Sequence, residues 1–280
     1  MPKAKKKTQR PQRSSQAESS DEEVEATQSL TQAQRAVSNF SQADIQKKVT
    51  ELVQYILIAD QKKIPIKKKE INRHVLKEMS KSFPILIKKA EEQLQYVFGF
   101  KLQTETTGKQ TSYMLVNAID LNEDEPHLKW SPEENAKTGL LMIILSLIFM
   151  EGNVVPDTKL WHTLKRLGVD SEKNHEVFGD VKKLVTQEFV RQAYLEYVRQ
   201  PNTDPPSFEF RWGSRAQAET TKRNVLEFVC QIYGREVDDV DSPEYGNCVP
   251  MELTKWTSQY QDVVRSEMEG PNVSHNEDSS

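Results

Sequence analysis

Ser131-Pro132-Glu133-Glu134-Asn135-Ala136-Lys137-Thr138-Gly139-Leu140-Leu141-Met142-Ile143-Ile144-Leu145-Ser146-Leu147-Ile148-Phe149-Met150-Glu151-Gly152 reads as one helix with both ends marked. Ser131 offers an N-cap oxygen. Pro132 suits the first helical position, where its missing N–H costs nothing, and Glu134 completes a capping box. Gly152 stops the helix, because only glycine takes the left-handed C-terminal position without a Cβ penalty. Between these marks the apolar residues fall nearly all round, which predicts burial on most sides. The run Gly139 to Met150 is shorter than the ~17–25 residues that span a bilayer, and it carries Ser146. It reads as a core helix.

Downstream of this helix, Asp157 to Leu167 has Leu160, Trp161, Leu164 and Leu167 at helical spacing, with Gly168 as terminator. A third helix is expected over Asp180 to Gln187. Tyr194 to Arg199 and Phe208 to Trp212 then alternate apolar and polar residues across a proline-rich turn, which predicts a hairpin. A closing helix is expected over Ala216 to Ile232. Upstream, the same order occurs in different letters. Ser41 and Asp44 resemble a capping box before the stripe Ile45, Val49, Leu52, Val53 and Ile56. A short helix fits Lys67 to Ser80, and a third helix starts near Pro84. Phe100–Leu102 and Tyr113–Val116, set about Gly108, form a second hairpin signal. Three helices followed by a two-stranded ribbon is the winged-helix order. The expected fold is therefore mainly α with small β-hairpins, in tandem winged-helix modules.

The expected organisation is a basic then acidic tail at 1–40, a first module at 41–120, a second at 121–234, a C-terminal extension at 235–265 and a second tail at 266–280. The tails carry too little apolar surface to offset ordering entropy. The basic head, Lys3 to Arg13, reads as a nuclear-import signal, a phosphate-binding arm or a solubilising tail. The formal net charge of −4 means that any polyanion contact must come from a local patch. Cys230 and Cys248 have no ligand partners at metal spacing, which argues for a reducing compartment and against a disulfide framework. With no signal-peptide-like N-terminus, an intracellular, nuclear and chromatin-associated protein without membrane contact is expected.

Catalysis finds no signature. His74, His127, His162, His175 and His275 are scattered, and no glycine-rich phosphate loop exists. The expectation is no enzyme, no metal and no cofactor.

A longer pattern is more specific. Lys137 to Leu145 with Ile148 to Asn153, then Tyr194-Leu195-Glu196-Tyr197, Asp204-Pro205-Pro206, Phe208-Glu209-Phe210, Trp212-Gly213 and Ala218-Glu219-Thr220 resemble the MAGE homology domain in order. The first module agrees through Leu52-Val53-Gln54-Tyr55, Phe83-Pro84 and Val97-Phe98-Gly99. Phe178-Gly179-Asp180, Lys182 to Val185 and Phe189 to Gln192 are similar to the branch of the family found in SMC-type DNA-repair complexes. Residues 235–256 depart from the pattern.

The resemblance implies a non-catalytic scaffold with several partners. One is a RING-type ubiquitin ligase subunit (non-SMC element one), bound and stimulated through Tyr55, Ile56, Leu57 and Ile58, where the first stripe is wider than a core needs. Another is the kleisin (non-SMC element four), for which Leu226 and Val229 are the candidate face. SMC heads would be reached indirectly. Double-stranded DNA is a further expected partner, held without base selectivity by Lys159, Lys165, Arg166, Lys182, Lys183, Arg191, Arg199 and Arg211 through their phosphate-neutralising charge. Lys67, Lys68, Lys69, Lys88 and Lys89 form a second set in the first module. The alternative reading is a winged-helix DNA-binding transcription regulator.

Overall fold

The computed structural model describes residues 31–108, 110–119, 131–201, 203–234 and 254–268. The basic head, Cys248, His127 and His275 lie outside the described residues. The chain divides into two compact units. One is drawn from residues up to Ile58 together with Lys67–Phe98, and the other from Ala59–Ile66 together with Gly99 onward.

In the first unit, helix α1 (Gln42–Asp60) starts where Ser41 Oγ accepts the Asp44 amide at 3.1 Å and donates to the Asp44 carboxylate at 2.6 Å. Its stripe, Ile45, Val49, Leu52, Val53 and Ile56, is buried. Residues 31–37 are helical and bury Ala33, so the expected tail to residue 40 is corrected there by a packed apolar contact.

The helix expected over Lys67 to Ser80 is not regular. After strand β1 (Ile66–Lys67), α2 (Lys68–Ile71) widens into a π turn over Asn72–Leu76 and tightens into a 3-10 stretch over Lys77–Ser82. Lys77 takes φ 47°. The irregular winding lets Ile71, Val75, Leu76 and Met79 all reach the interior. Helix α3 (Phe83–Phe98) follows and buries Phe83, Leu86, Ala90 and Leu94.

Strands β2 (Phe100–Thr107) and β3 (Gln110–Asn117) form the expected antiparallel hairpin, with Leu102 opposite Leu115. The sheet order is β1-β3-β2. Tyr113, Met114, Leu115 and Val116 are buried in succession, so β3 is covered on both faces. The hairpin groups with the C-terminal residues, which differs from the expected boundary near residue 120.

The second unit repeats the order. Helix α4 (Pro132–Met150) has the full capping box: Ser131 Oγ accepts from the Glu134 amide, and the Glu134 carboxylate accepts from the Ser131 amide at 3.1 Å. Gly152, at φ 91°, closes it: the Gly152 and Asn153 amides reach back to the carbonyls of Phe149 and Ile148. Then come β4 (Val155–Pro156), α5 (Asp157–Arg166), the two-stranded β5 (Asn174–His175) and β6 (Gly179–Asp180), and a third helical segment. That segment runs α6 (Val181–Lys183), a π turn over Leu184–Glu188, and α7 (Phe189–Arg191), longer than expected. Strands β7 (Leu195–Arg199) and β8 (Phe208–Trp212) pair antiparallel, with order β4-β8-β7.

A single core joins α4, α5, the third helical segment, the hairpin and the following helices. Trp212 donates its indole N–H to the Leu145 carbonyl at 3.0 Å. The closing helix expected over Ala216 to Ile232 is two helices, α8 (Ser214–Glu219) and α9 (Lys222–Ile232). Thr221 breaks it by capping α9 through the Asn224 amide. Helix α10 (Thr254–Met268) packs on α4 and α9 with Val263 wholly buried. Residues 266–268, expected in the tail, are its last turn.

Candidate functional site

The second unit carries an apolar groove of about 380 Å³, lined by Ala136, Gly139, Leu140 and Ile143 from α4, Leu164 and Leu167 from α5, and Val169 and Phe178 beyond it. Among the described residues no charged side chain lines it. The sequence builds its walls by three local devices. Along α4, Ala136, Gly139, Leu140 and Ile143 fall at helical spacing and face one side. Gly139 leaves that wall low: a Cβ there would meet nothing within 4 Å.

At the end of α5, Gly168 takes φ 89°. Its amide donates to the Lys165 carbonyl at 3.1 Å and the Val169 amide to Leu164 at 2.9 Å. This double closure places Leu164 and Val169 side by side. The turn is held further by Asp170, whose carboxylate accepts the Glu172 amide at 3.0 Å and faces Lys165 at 3.4 Å. That amide bond, then the lysine, pulls the Asp170 carboxyl below its ordinary range. Leu167 is left 58 % exposed at the rim.

The third device is His175. Its Nδ1 accepts the amides of Val177 at 3.1 Å and Phe178 at 3.4 Å. Its ring stacks on Phe178 with centroids 4.6 Å apart. His175 therefore fixes the aromatic wall of the groove. Sequence reasoning saw this residue only as one of five scattered histidines.

The proposed kleisin face is corrected. Leu226 is 0 % and Val229 7 % exposed, so both are core residues of α9. The exposed large apolar residues at that helix end are Ile232 and Tyr233.

The ligase face is corrected in part. Ile56 is 0 % exposed and faces the core of the first unit. Ile58 is 57 % exposed, Leu57 is half-buried, and Tyr55 is half-buried with its ring stacked 6.4 Å from that of His74. A second exposed apolar group of the same unit is Tyr96, Val97 and Phe98 at the end of α3; in the sequence Val97 and Phe98 stand out only as part of the family motif, not as an exposed face.

The eight basic residues assigned to DNA do not form one face. Lys159 pairs with Glu151 at 2.6 Å and Lys165 with Asp170. Arg211 is bonded to Glu209 through two nitrogens. In the hairpin register, Arg199 lies opposite Phe208, on the side of Phe210 and Trp212, whereas Arg211 lies opposite Glu196 on the other side. Arg166, Lys182, Lys183 and Arg191 are exposed and unpaired with carboxylates among the described residues.

Residues 52–223 match the model of the MAGE homology domain. The chain belongs to the MAGE family. This MAGE-family chain is 48 % identical over 208 residues to the human non-structural maintenance of chromosomes element 3 homolog, covering 74 % of this chain and 68 % of that one. It is 47 % identical over 199 residues to the mouse protein of that name, covering 71 % of each. Among solved structures, it is similar to a chain of an Nse1-Nse3-Nse4 complex, with TM-score 0.70 and 44 % identity, over 80 % of this chain and all of that one. The tandem winged-helix fold expected from the sequence is the fold of this MAGE domain.

Proposed function

We propose that this chain is a non-catalytic scaffold subunit of an SMC-type DNA-repair complex, nuclear and chromatin-associated. In this reading it binds and stimulates a RING-type ubiquitin ligase subunit, bridges it to the kleisin, and touches double-stranded DNA without base selectivity.

The apolar groove between α4 and α5 carries the reading. An uncharged slot of about 380 Å³ suits the anchor side chains of an amphipathic partner helix, and we assign it to the kleisin in place of Leu226 and Val229. Ile58 and Leu57, half of the surface first assigned to the ligase, remain available on the first unit. The likeness over the full length of a chain from an Nse1-Nse3-Nse4 complex supports the same pair of partners.

Co-expression of the chain with its ligase and kleisin partners, followed by size exclusion, tests the reading. The expected result is one stable three-protein peak and faster ubiquitin transfer than by the ligase alone. A chain that elutes by itself and captures DNA of one selected sequence supports the transcription-regulator alternative instead.

A further inference from the structure

A serine or threonine followed directly by glutamine occurs seven times in the chain, and five of these pairs lie within the first 42 residues: Thr8-Gln9, Ser15-Gln16, Thr27-Gln28, Thr31-Gln32 and Ser41-Gln42. Half of the ten hydroxyl residues in that stretch carry the glutamine, against two of the 28 beyond it. Glutamine is one residue in six there, so composition alone accounts for fewer than two of the five. The last two pairs fall among the described residues. Thr31 and Gln32 are exposed at the start of the helical residues 31–37, and Ser41 and Gln42 are exposed where α1 begins. Ser41 Oγ accepts the Asp44 amide at 3.1 Å and donates to the Asp44 carboxylate at 2.6 Å; Asp44 is itself exposed. The two pairs outside the cluster are placed differently. Thr186 donates to the Lys182 carbonyl within a helical segment at 2.7 Å, and Gln259, which follows Ser258, is buried.

We propose that Ser41, together with Thr31, is a phosphorylation site for a kinase that reads glutamine directly after its acceptor, and that the Ser41 phosphate caps α1 more firmly than the hydroxyl does. A kinase takes its acceptor from exposed chain or from a helix end whose first turn frays, and Ser41 with Gln42 sits at such an end. In the transfer the Ser41 oxygen bonds to the γ-phosphorus of Mg-ATP, the bond from that phosphorus to the bridging oxygen breaks, ADP departs, and the hydroxyl proton passes to the kinase's base. The product carries about −1.5 to −2 charge and three acceptor oxygens. It stands at the start of a 19-residue helix, whose first amides have no partner within the helix. The hydroxyl serves one of them, that of Asp44; three oxygens can serve several. Against this, the ester loses the proton that Ser41 gives Asp44 and repels that carboxylate. Asp44 is free to turn to water, and Lys47, exposed and three residues on, shares its face. Attraction to amides fixed in place therefore outweighs repulsion from a side chain that can move away. Kinases of this preference respond to DNA damage, so the site adds regulation to the scaffold reading. Its test uses neither ligase nor kleisin, so the two can fail separately.

The test has two arms. In the first, the full chain is incubated with Mg-ATP and a damage-activated kinase already shown to be active on a Ser-Gln peptide, and phosphates are located by mass spectrometry. Phosphate is expected on Ser41 and Thr31, with its yield falling roughly tenfold or more in a Gln32→Ala, Gln42→Ala variant that keeps both hydroxyls. No phosphate at Ser41, or an equal yield in the variant, overturns the proposal. In the second arm, phosphoserine is incorporated at position 41 of the full chain, and amide hydrogen exchange is followed over residues 42–45. Exchange there should slow several-fold relative to the unmodified chain and slow further when Asp44→Asn removes the repelled carboxylate, whereas Ser41→Ala should speed it. Exchange at 42–45 that is unchanged or faster in the phosphoserine chain overturns the capping role.

Discussion

Arg215, with none of its surface exposed, donates to the carbonyl of Leu115, a hundred residues earlier in the chain, at 3.0 Å. Its other donors reach the carbonyls of Gln192 and Lys63 and the carboxylate of Glu219, with Asp60 at 3.6 Å. A forked guanidinium satisfies all of these at once; an ammonium cannot.

Removing this arginine leaves the buried Asp60 with Lys63, at 2.7 Å, as its partner, and leaves three carbonyls without this donor. Arg215→Met is expected to lower unfolding free energy by about 3–5 kcal/mol, read as a lower urea midpoint. Arg215→Lys should recover little of the loss.

The same cluster gives an alkaline signature. Burial, and then the Glu219 carboxylate that accepts the Tyr194 hydroxyl at 2.7 Å, raise the Tyr194 phenol well above its ordinary value of 10.0. Above that pH the unfolded chain releases a proton that the folded chain keeps. Stability contributed by Tyr194 is therefore whole below pH ~10 and falls above it, by up to about 1.4 kcal/mol per pH unit. Tyr194→Phe should flatten this part of a stability–pH curve measured by denaturant titration.

Ile56 and Ile58 should separate folding from docking. Ile56→Ala is expected to cost about 2–5 kcal/mol of stability as a core truncation. Ile58→Ala should change stability by less than ~0.5 kcal/mol yet weaken capture of the ligase partner. Thermal melts and a pull-down on the same preparations distinguish the two. A stable Ile58→Ala protein that captures the ligase at wild-type yield contradicts the docking assignment.

His175 is expected to act through Phe178. His175→Ala removes the acceptor for two amides and the stacked ring, so partner affinity at the groove should fall several-fold with a modest loss of stability. His175→Asn keeps an acceptor able to bond the amide two residues on and should restore part of the affinity. Equal loss in both variants, measured by calorimetric titration of the kleisin segment, points to the ring rather than the amide bonds.

Much of the fold was legible because its signals are local. The Ser131–Glu134 capping box, the apolar run of α4 and Gly152 specify a helix from both ends. The alternation at Leu195–Arg199 and Phe208–Trp212 specifies a hairpin. The break between α8 and α9 was also written in the chain: Thr221 with Asn224 three residues on is a cap, overlooked because the apolar period continues through it.

The site was less legible, for a physical reason. An apolar stripe wider than a core needs shows that some member of Tyr55 to Ile58 is exposed but not which one, and Ile56 lies inward; the kleisin face at Leu226 and Val229 rested on the resemblance alone, and both lie in the core. The groove draws on α4, the Gly168 closure and Phe178, whose adjacency exists only after folding.

Gly139 tests the central claim most directly. Its Cβ position is open and it sits inside α4, where glycine costs about 0.5–1 kcal/mol relative to alanine. Gly139→Ala is expected to raise the melting temperature, and Gly139→Leu to fill the groove without disturbing the core. Calorimetric titration of these variants with the kleisin partner is the measurement. The account predicts that Gly139→Leu stays folded and loses at least tenfold in affinity; a folded Gly139→Leu protein that binds the kleisin as tightly as the unaltered chain contradicts it.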